Sequence, residues 1–186
     1  MDLCRALADY PEIPPKGGRR VAVLTMSGAA GIVSADFIEE HALKVADLSA
    51  ATVEALKEIY PDWMPVSNPV DLWPAVERNG AEAAYETAVR AVCADPNVDA
   101  IFLHLFVGGF ALTPDIESLA ALACEAGKPM FCFLLGKCDE ARAFHIRAQR
   151  AGVAVFRELY RAVECISAVF SHPKNLVRRE TESSRT

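Results

Sequence analysis

Arg20-Val21-Ala22-Val23-Leu24-Thr25-Met26-Ser27-Gly28-Ala29-Ala30-Gly31-Ile32-Val33 is the stretch whose reading decides the fold: an apolar run, a small-residue turn and a helix-compatible continuation. It reads as strand, tight turn, helix. The first N–H groups of a helix lack intrahelical acceptors, and the helix dipole places roughly half a positive charge beside them. The turn at Ser27, Gly28, Ala29, Ala30 and Gly31 is therefore a candidate phosphate-binding site. The same glycines also suit ordinary strand-to-helix turn chemistry, and GxxG lacks both the P-loop lysine and the full dinucleotide fingerprint.

Outward from this stretch, 186 residues suffice for one well-buried α/β domain. The composition, 52% hydrophobic and 24% charged, is that of a globular protein. No apolar run approaches the ~20 residues of a membrane span, and Met1-Asp2-Leu3-Cys4-Arg5 lacks the basic and apolar regions of a secretory signal. The expected location is cytoplasmic, with no membrane partner. A net charge of −6 argues against nucleic acid, whose binding rests on neutralising phosphates with Lys and Arg. The six cysteines, Cys4, Cys93, Cys124, Cys132, Cys138 and Cys165, form no CxxC pair and read as reduced core residues, and no metal site is expected.

Residues 1–18 hold a short helical pattern broken by Pro11, Pro14, Pro15, Gly17 and Gly18, and read as a linker or the end of a preceding domain. Residues 19–171 form the domain proper, and the charged, Ser- and Thr-rich residues 172–186 a flexible tail. Within the domain, a helix over about Ala29 to His41 is expected to lay Ile32, Val33, Phe37 and Ile38 on the sheet. Leu43 to Leu48 reads as a strand, and Ser49 caps a helix that Pro61 stops. Met64 to Pro74 carries three prolines and reads as an ordered loop. Further helices are expected over about Glu82–Val92, from Thr113, through Ala141–Ala148 and over Leu159–Phe170; strands at Val98–Phe106, Pro129–Leu135 and Val153–Phe156 complete the alternation. Near-continuous apolar strands between amphipathic helices mean a parallel sheet covered on both faces.

Five parallel strands joined by right-handed crossovers predict a flavodoxin-like αβα sandwich of order 2-1-3-4-5, with the ligand site where strands one and three end. Ser27–Gly31 should then face Val107–Phe110, including Gly108 and Gly109, with the Asn68–Leu72 loop, including Asn68 and Asp71, as a third wall. Asp71 reads equally as an Asx-type loop staple. His104, near the end of an apolar strand, reads as a satisfied core residue rather than a proton carrier, and His41, His145 and His172 as solvated or capping groups. Trp63 and Trp73 flank the proline loop; buried they would pack it, and exposed together they would suggest a docking surface.

Three motifs taken together, Arg20-Val21-Ala22-Val23-Leu24-Thr25 with Ser27-Gly28-Ala29-Ala30-Gly31, Ser67-Asn68-Pro69-Val70-Asp71-Leu72, and Asp95-Pro96-Asn97-Val98-Asp99-Ala100, resemble the NDP-forming acyl-CoA synthetases over residues 19–170. The likeness is to the second of their two flavodoxin-like CoA-ligase domains, similar to the carboxyl-terminal domain of the succinyl-CoA synthetase β chain. The resemblance implies a part in converting acyl-CoA, phosphate and a nucleoside diphosphate to acid, CoA and triphosphate through a phosphohistidine on a neighbouring domain. It implies no catalytic side chain and no cofactor for this domain alone; CoA, ATP or ADP, Mg and phosphate would serve the parent enzyme. The implied partners are the CoA-binding, phosphohistidine ligase and ATP-grasp domains. The family turn usually reads Asn-Ala-Gly-Gly-Pro-Gly, against Met26-Ser27-Gly28-Ala29-Ala30-Gly31 here, and the added Cβ atoms narrow the approach. That departure keeps open a non-catalytic regulatory or assembly module, for example in a synthetase-like protein acetyltransferase.

Overall fold

Runs rich in Val, Leu, Ile and Phe become the longer strands of a six-stranded parallel sheet in the computed structural model, which describes residues 19–108 and 113–171. In chain order these are β1 (Arg20–Thr25), α1 (Gly28–Glu40), β2 (Lys44–Val45), α2 (Ala50–Lys57), β3 (Val70–Asp71), α3 (Trp73–Asn79) and α4 (Ala81–Ala94). There follow β4 (Ala100–Val107), α5 (Ile116–Glu125), β5 (Met130–Gly136), α6 (Cys138–Arg150), β6 (Ala154–Phe156) and α7 (Leu159–Ser171). The sheet order is β2-β1-β4-β5-β6, with β3 also on β1. Apart from β3 this is the expected flavodoxin-like order.

The additional strand corrects the expected count of five. β2 covers only the start of β1, pairing Arg20–Val21 with Lys44–Val45. The rest of that edge would leave backbone groups without partners, and the proline loop supplies them by pairing Val70–Asp71 with Leu24–Thr25. In the gap between the two short strands the Asn68 amide takes over: Oδ1 accepts from the Val23 N–H, and Nδ2 donates to the carbonyls of Val21 and Ala46, each at 2.9 Å. The loop also ends in α3, which sequence reading did not anticipate; Pro74 sits in its first turn, where a missing N–H costs nothing.

Side chains alternate between two cores. Ala22, Leu24, Ile101, Leu103, Leu105, Cys132 and Leu134 face one core together with residues of α2 to α6. Val21, Val23, Phe102, Phe131 and Phe133 face the other with Ile38 of α1 and much of α7. A second correction concerns α1. Its buried residues are Gly31, Ser34 and Ile38, with Phe37 half-buried, whereas Ile32 is 65% exposed and Val33 also points outward. Small residues let this helix approach the sheet closely: a Cβ on Gly31 would come within 2.9 Å of Pro69 Cβ and 3.1 Å of Thr25 Cγ2.

The Asp95–Ala100 motif lies at the opposite end of the sheet from the α1 turn. Asp99 accepts from the Arg20 backbone N–H and guanidinium, each at 2.9 Å. Asp95 accepts from the backbone N–H groups of Ser49 and Asn97, each at 2.8 Å. Burial opposes the Asp95 charge, but hydrogen bonds from Thr52, Ser49 and Asn97 outweigh it and hold the carboxyl below its ordinary value. The motif is thus a latch between β1, β4 and α2. Of the cysteines, Cys132 and Cys165 are buried and Cys93 is half-buried, but Cys124 is exposed on α5, which corrects its expected place in the core.

Close approach at the other end of the sheet depends on Gly136, which has φ +143°; a Cβ there would stand 1.9 Å from the Val107 carbonyl oxygen. Gly136→Ala is expected to cost about 2–4 kcal/mol, since backbone rather than a flexible side chain must yield. A urea titration of variant and parent measures the difference.

Candidate functional site

The head of α1 sits where β1 ends, beside β4. The register Leu24↔Leu103 brings Thr25 level with His104. Ser27, in an extended conformation, is the N-cap: its Oγ accepts weakly from the Ala30 N–H at 3.4 Å, and its carbonyl accepts from the Gly31 N–H at 2.9 Å. The Thr25 hydroxyl closes the turn, donating to the Ser27 carbonyl at 2.9 Å and accepting from the Ser27 N–H at 3.0 Å. Of the sequence-predicted turn residues, Ser27, Ala30 and Gly31 thus commit their amides internally. Those of Gly28 and Ala29 find no acceptor among the described residues.

Asp71 closes one side. Its Oδ2 stands 3.0 Å from where a Gly28 Cβ would be, while Oδ1 accepts from the Trp73 N–H at 3.1 Å. Asp71 is therefore both an Asx-type staple and a neighbour of the turn. Its carbonyl accepts a short hydrogen bond from the Tyr60 hydroxyl. Asn68 turns the other way and spends its amide on β1 and the residue after β2. Gly108 is not brought to the turn. It lies four residues beyond His104, about 13 Å along β4, and its neighbours are Glu140 and Lys137 at the start of α6. Gly109 and Phe110 lie outside the described residues. The part of β4 nearest the turn is instead His104 to Phe106, which with Thr25, Met26, Ser27, Ala30, Phe133 and Leu135 lines a cavity of about 70 Å³.

Beneath the turn lies a group that sequence reading did not assemble. His104, 3% exposed, reaches Thr25 Oγ1 with Nδ1 at 3.0 Å and Ser34 Oγ with Nε2 at 3.3 Å. The rings of Phe102 and Phe133 pack edge-on against it. The expected core placement of His104 holds. Its partner Ser34 escaped notice, although its position three residues after Gly31 on a helix covering an apolar sheet was a usable signal. Among the described residues, every buried side-chain nitrogen and oxygen has a partner.

Burial pushes the His104 imidazole down to about 3, against about 6.5 for a free histidine. The unfolded chain therefore binds the extra proton at a pH where the folded chain does not. Stability should be fully present above pH ~6.5 and decline as pH falls toward 3, with a slope of up to about 1.4 kcal/mol per unit from this group alone. Denaturant midpoints between pH 7 and 4 for the parent and for His104→Asn should differ by that slope.

No family model matches the chain. Acetate–CoA ligase (ADP-forming) II of Archaeoglobus fulgidus is 30% identical over 167 residues, covering 88% of this chain and 24% of that protein. Subunit alpha of acetate–CoA ligase (ADP-forming) II of Pyrococcus furiosus is 37% identical over 133 residues, covering 68% of this chain and 28% of that subunit. The chain is a homologue of one segment of the ADP-forming acetate–CoA ligases. It spans about a quarter of the length of these relatives. The fold recurs in a protein of Pyrococcus horikoshii, with a TM-score of 0.77 at 23% identity over 95% of this chain and 40% of that one. It recurs also in acetyl-coenzyme A synthetase 1 of Ca. Korarchaeum cryptofilum, solved with phosphate and ADP (TM-score 0.74, 21% identity, 97% of this chain, 38% of that one). Within the ligase homologue, the described residues contain no cluster of His, Cys, Asp and Glu able to hold a metal, and no helix long and apolar enough to cross a membrane.

Proposed function

We propose that the chain is a CoA-ligase-type domain of an NDP-forming acyl-CoA synthetase, the second of two, and that the head of α1 stabilises a phosphohistidine carried by another domain. The observation that carries this reading is the pair of amides at Gly28 and Ala29, which have no acceptor among the described residues at the carboxyl end of a parallel strand. Phosphoryl oxygens are acceptors only, and fixed N–H donors with a helix dipole behind them stabilise charge there without reorganising. The domain donates hydrogen bonds and moves no proton. CoA, nucleotide and magnesium belong to the CoA-binding and ATP-grasp domains of the parent protein.

Exposed apolar side chains support an intermolecular or interdomain role. Ile32 and Val33 follow the turn directly on the outer face of α1, and Trp63 and Trp73 are both exposed around the proline loop. A second reading, the non-catalytic regulatory or assembly module, draws on Asp71, whose carboxylate beside Gly28 offsets part of the positive end of the helix.

Titration of the chain with inorganic phosphate, followed by backbone amide NMR, separates the two. The synthetase reading expects the Gly28 and Ala29 signals to shift most and to saturate. Shifts confined to surface lysines and arginines, or none, favour the second reading.

A further inference from the structure

Seven of the eight residues of β4 are apolar, yet one position facing α1 holds a histidine. A leucine there would complete the layer between Phe102 and Phe133 but leave the buried Ser34 hydroxyl without its imidazole partner. What the imidazole supplies follows from counting protons around Thr25. A hydroxyl has one proton and two lone pairs. The proton goes to the Ser27 carbonyl, which can only accept, and one lone pair takes the Ser27 N–H, which can only donate. The remaining lone pair faces His104 Nδ1 at 3.0 Å, so that nitrogen carries the ring proton. Nε2 of the neutral ring is then an acceptor for the Ser34 hydroxyl.

The ring grips α1 at two places, at its head through Thr25 and Ser27, and nearly two turns later through Ser34. We propose that His104 is a positioning residue for the turn: the Nδ1–H tautomer, held between Thr25 and Ser34, fixes the Ser27 peptide so that the Gly28 and Ala29 amides project in one direction. The functional consequence rests on the phosphate-facing reading of this turn; the tautomer and the grip on Thr25 do not.

Three measurements on the full chain test this. Long-range ¹H–¹⁵N correlation at pH 7 should find Nδ1 protonated on His104; the Nε2–H tautomer overturns the proposal. An asparagine amide falls near the site of Nδ1 and can still donate to Thr25, whereas a glutamine amide extends toward Ser34 instead. His104→Asn should therefore keep exchange of the Ser27 amide within about twofold of the parent, and His104→Gln should speed it about tenfold, the loss of one ordinary hydrogen bond. Equal exchange in the two variants overturns the proposal, because both remove the same ring and a merely space-filling histidine would not distinguish them. Phosphate titration of the unsubstituted chain is the third arm. The expected tautomer and Asn/Gln split without a phosphate-dependent shift at Gly28 and Ala29 would uphold the positioning role and reject the phosphate-facing reading. A phosphate shift with no Asn/Gln split would do the reverse.

Discussion

Gly28→Pro is expected, on the proposed phosphate-facing role of α1, to slow phosphoryl transfer about 10²-fold in the proposed parent synthetase while leaving the fold intact. Gly28 is the first residue of α1, where proline's fixed φ suits a helix and its missing N–H breaks no intrahelical bond. Ser27 precedes it with φ −147° and ψ 112°, the extended conformation that a residue before proline prefers. The substitution therefore deletes one of the two free donors and little else. Gly28→Ala is the control: it adds the same Cβ, 3.0 Å from the Asp71 carboxylate oxygen, but keeps the N–H. Single-turnover transfer of labelled phosphate should fall for the proline variant and stay within a few-fold of the parent for the alanine variant. Equal rates in all three proteins would mean that the head of α1 does not touch the phosphoryl group.

Asn68→Ala is expected to cost about 3 kcal/mol, a large fraction of the stability of an ordinary domain. Removing the side chain leaves one donor and one acceptor without a partner. The Val23 N–H, in a wholly buried residue, loses its acceptor and the Ala46 carbonyl its donor, while the Val21 carbonyl keeps the Ala46 N–H at 2.9 Å. Asn68→Asp should be no better, because a carboxylate can accept from Val23 but faces two carbonyl oxygens where a donor is needed. Guanidinium denaturation measures the loss, and a change below 1 kcal/mol would mean the edge of β1 is held by something else. Since Asp71 and Pro69 follow Asn68 closely, the same substitution should loosen the wall beside Gly28.

Much of this architecture was legible from residue order because it rests on local rules. Nearly continuous apolar runs such as Ala100–Val107, short and bounded by turn residues, read as buried strands, and their alternation with helices favours parallel pairing and right-handed crossovers. The head of α1 was legible for the same reason, since Ser27 is a cap and small residues follow it. The face of α1 was not. Periodicity favours burying Ile32 and Val33, but the sheet accepts Gly31 and Ser34 instead, because Pro69 and Thr25 leave room only for a glycine and His104 needs a hydroxyl.

The sequence by itself determined the layers, the strand order along the main path, and the location of the small-residue turn that opens α1, because hydrophobic period and turn chemistry act within a few residues. Only the tertiary structure decided that β3 fills the edge that β2 leaves open, that Asp71 rather than Gly108 stands beside Gly28, and that His104, Thr25 and Ser34 form one buried group. Those partners are 9 to 79 residues apart in the chain. Their meeting depends on register and helix rotation, which burial of the whole sheet sets and no local pattern encodes.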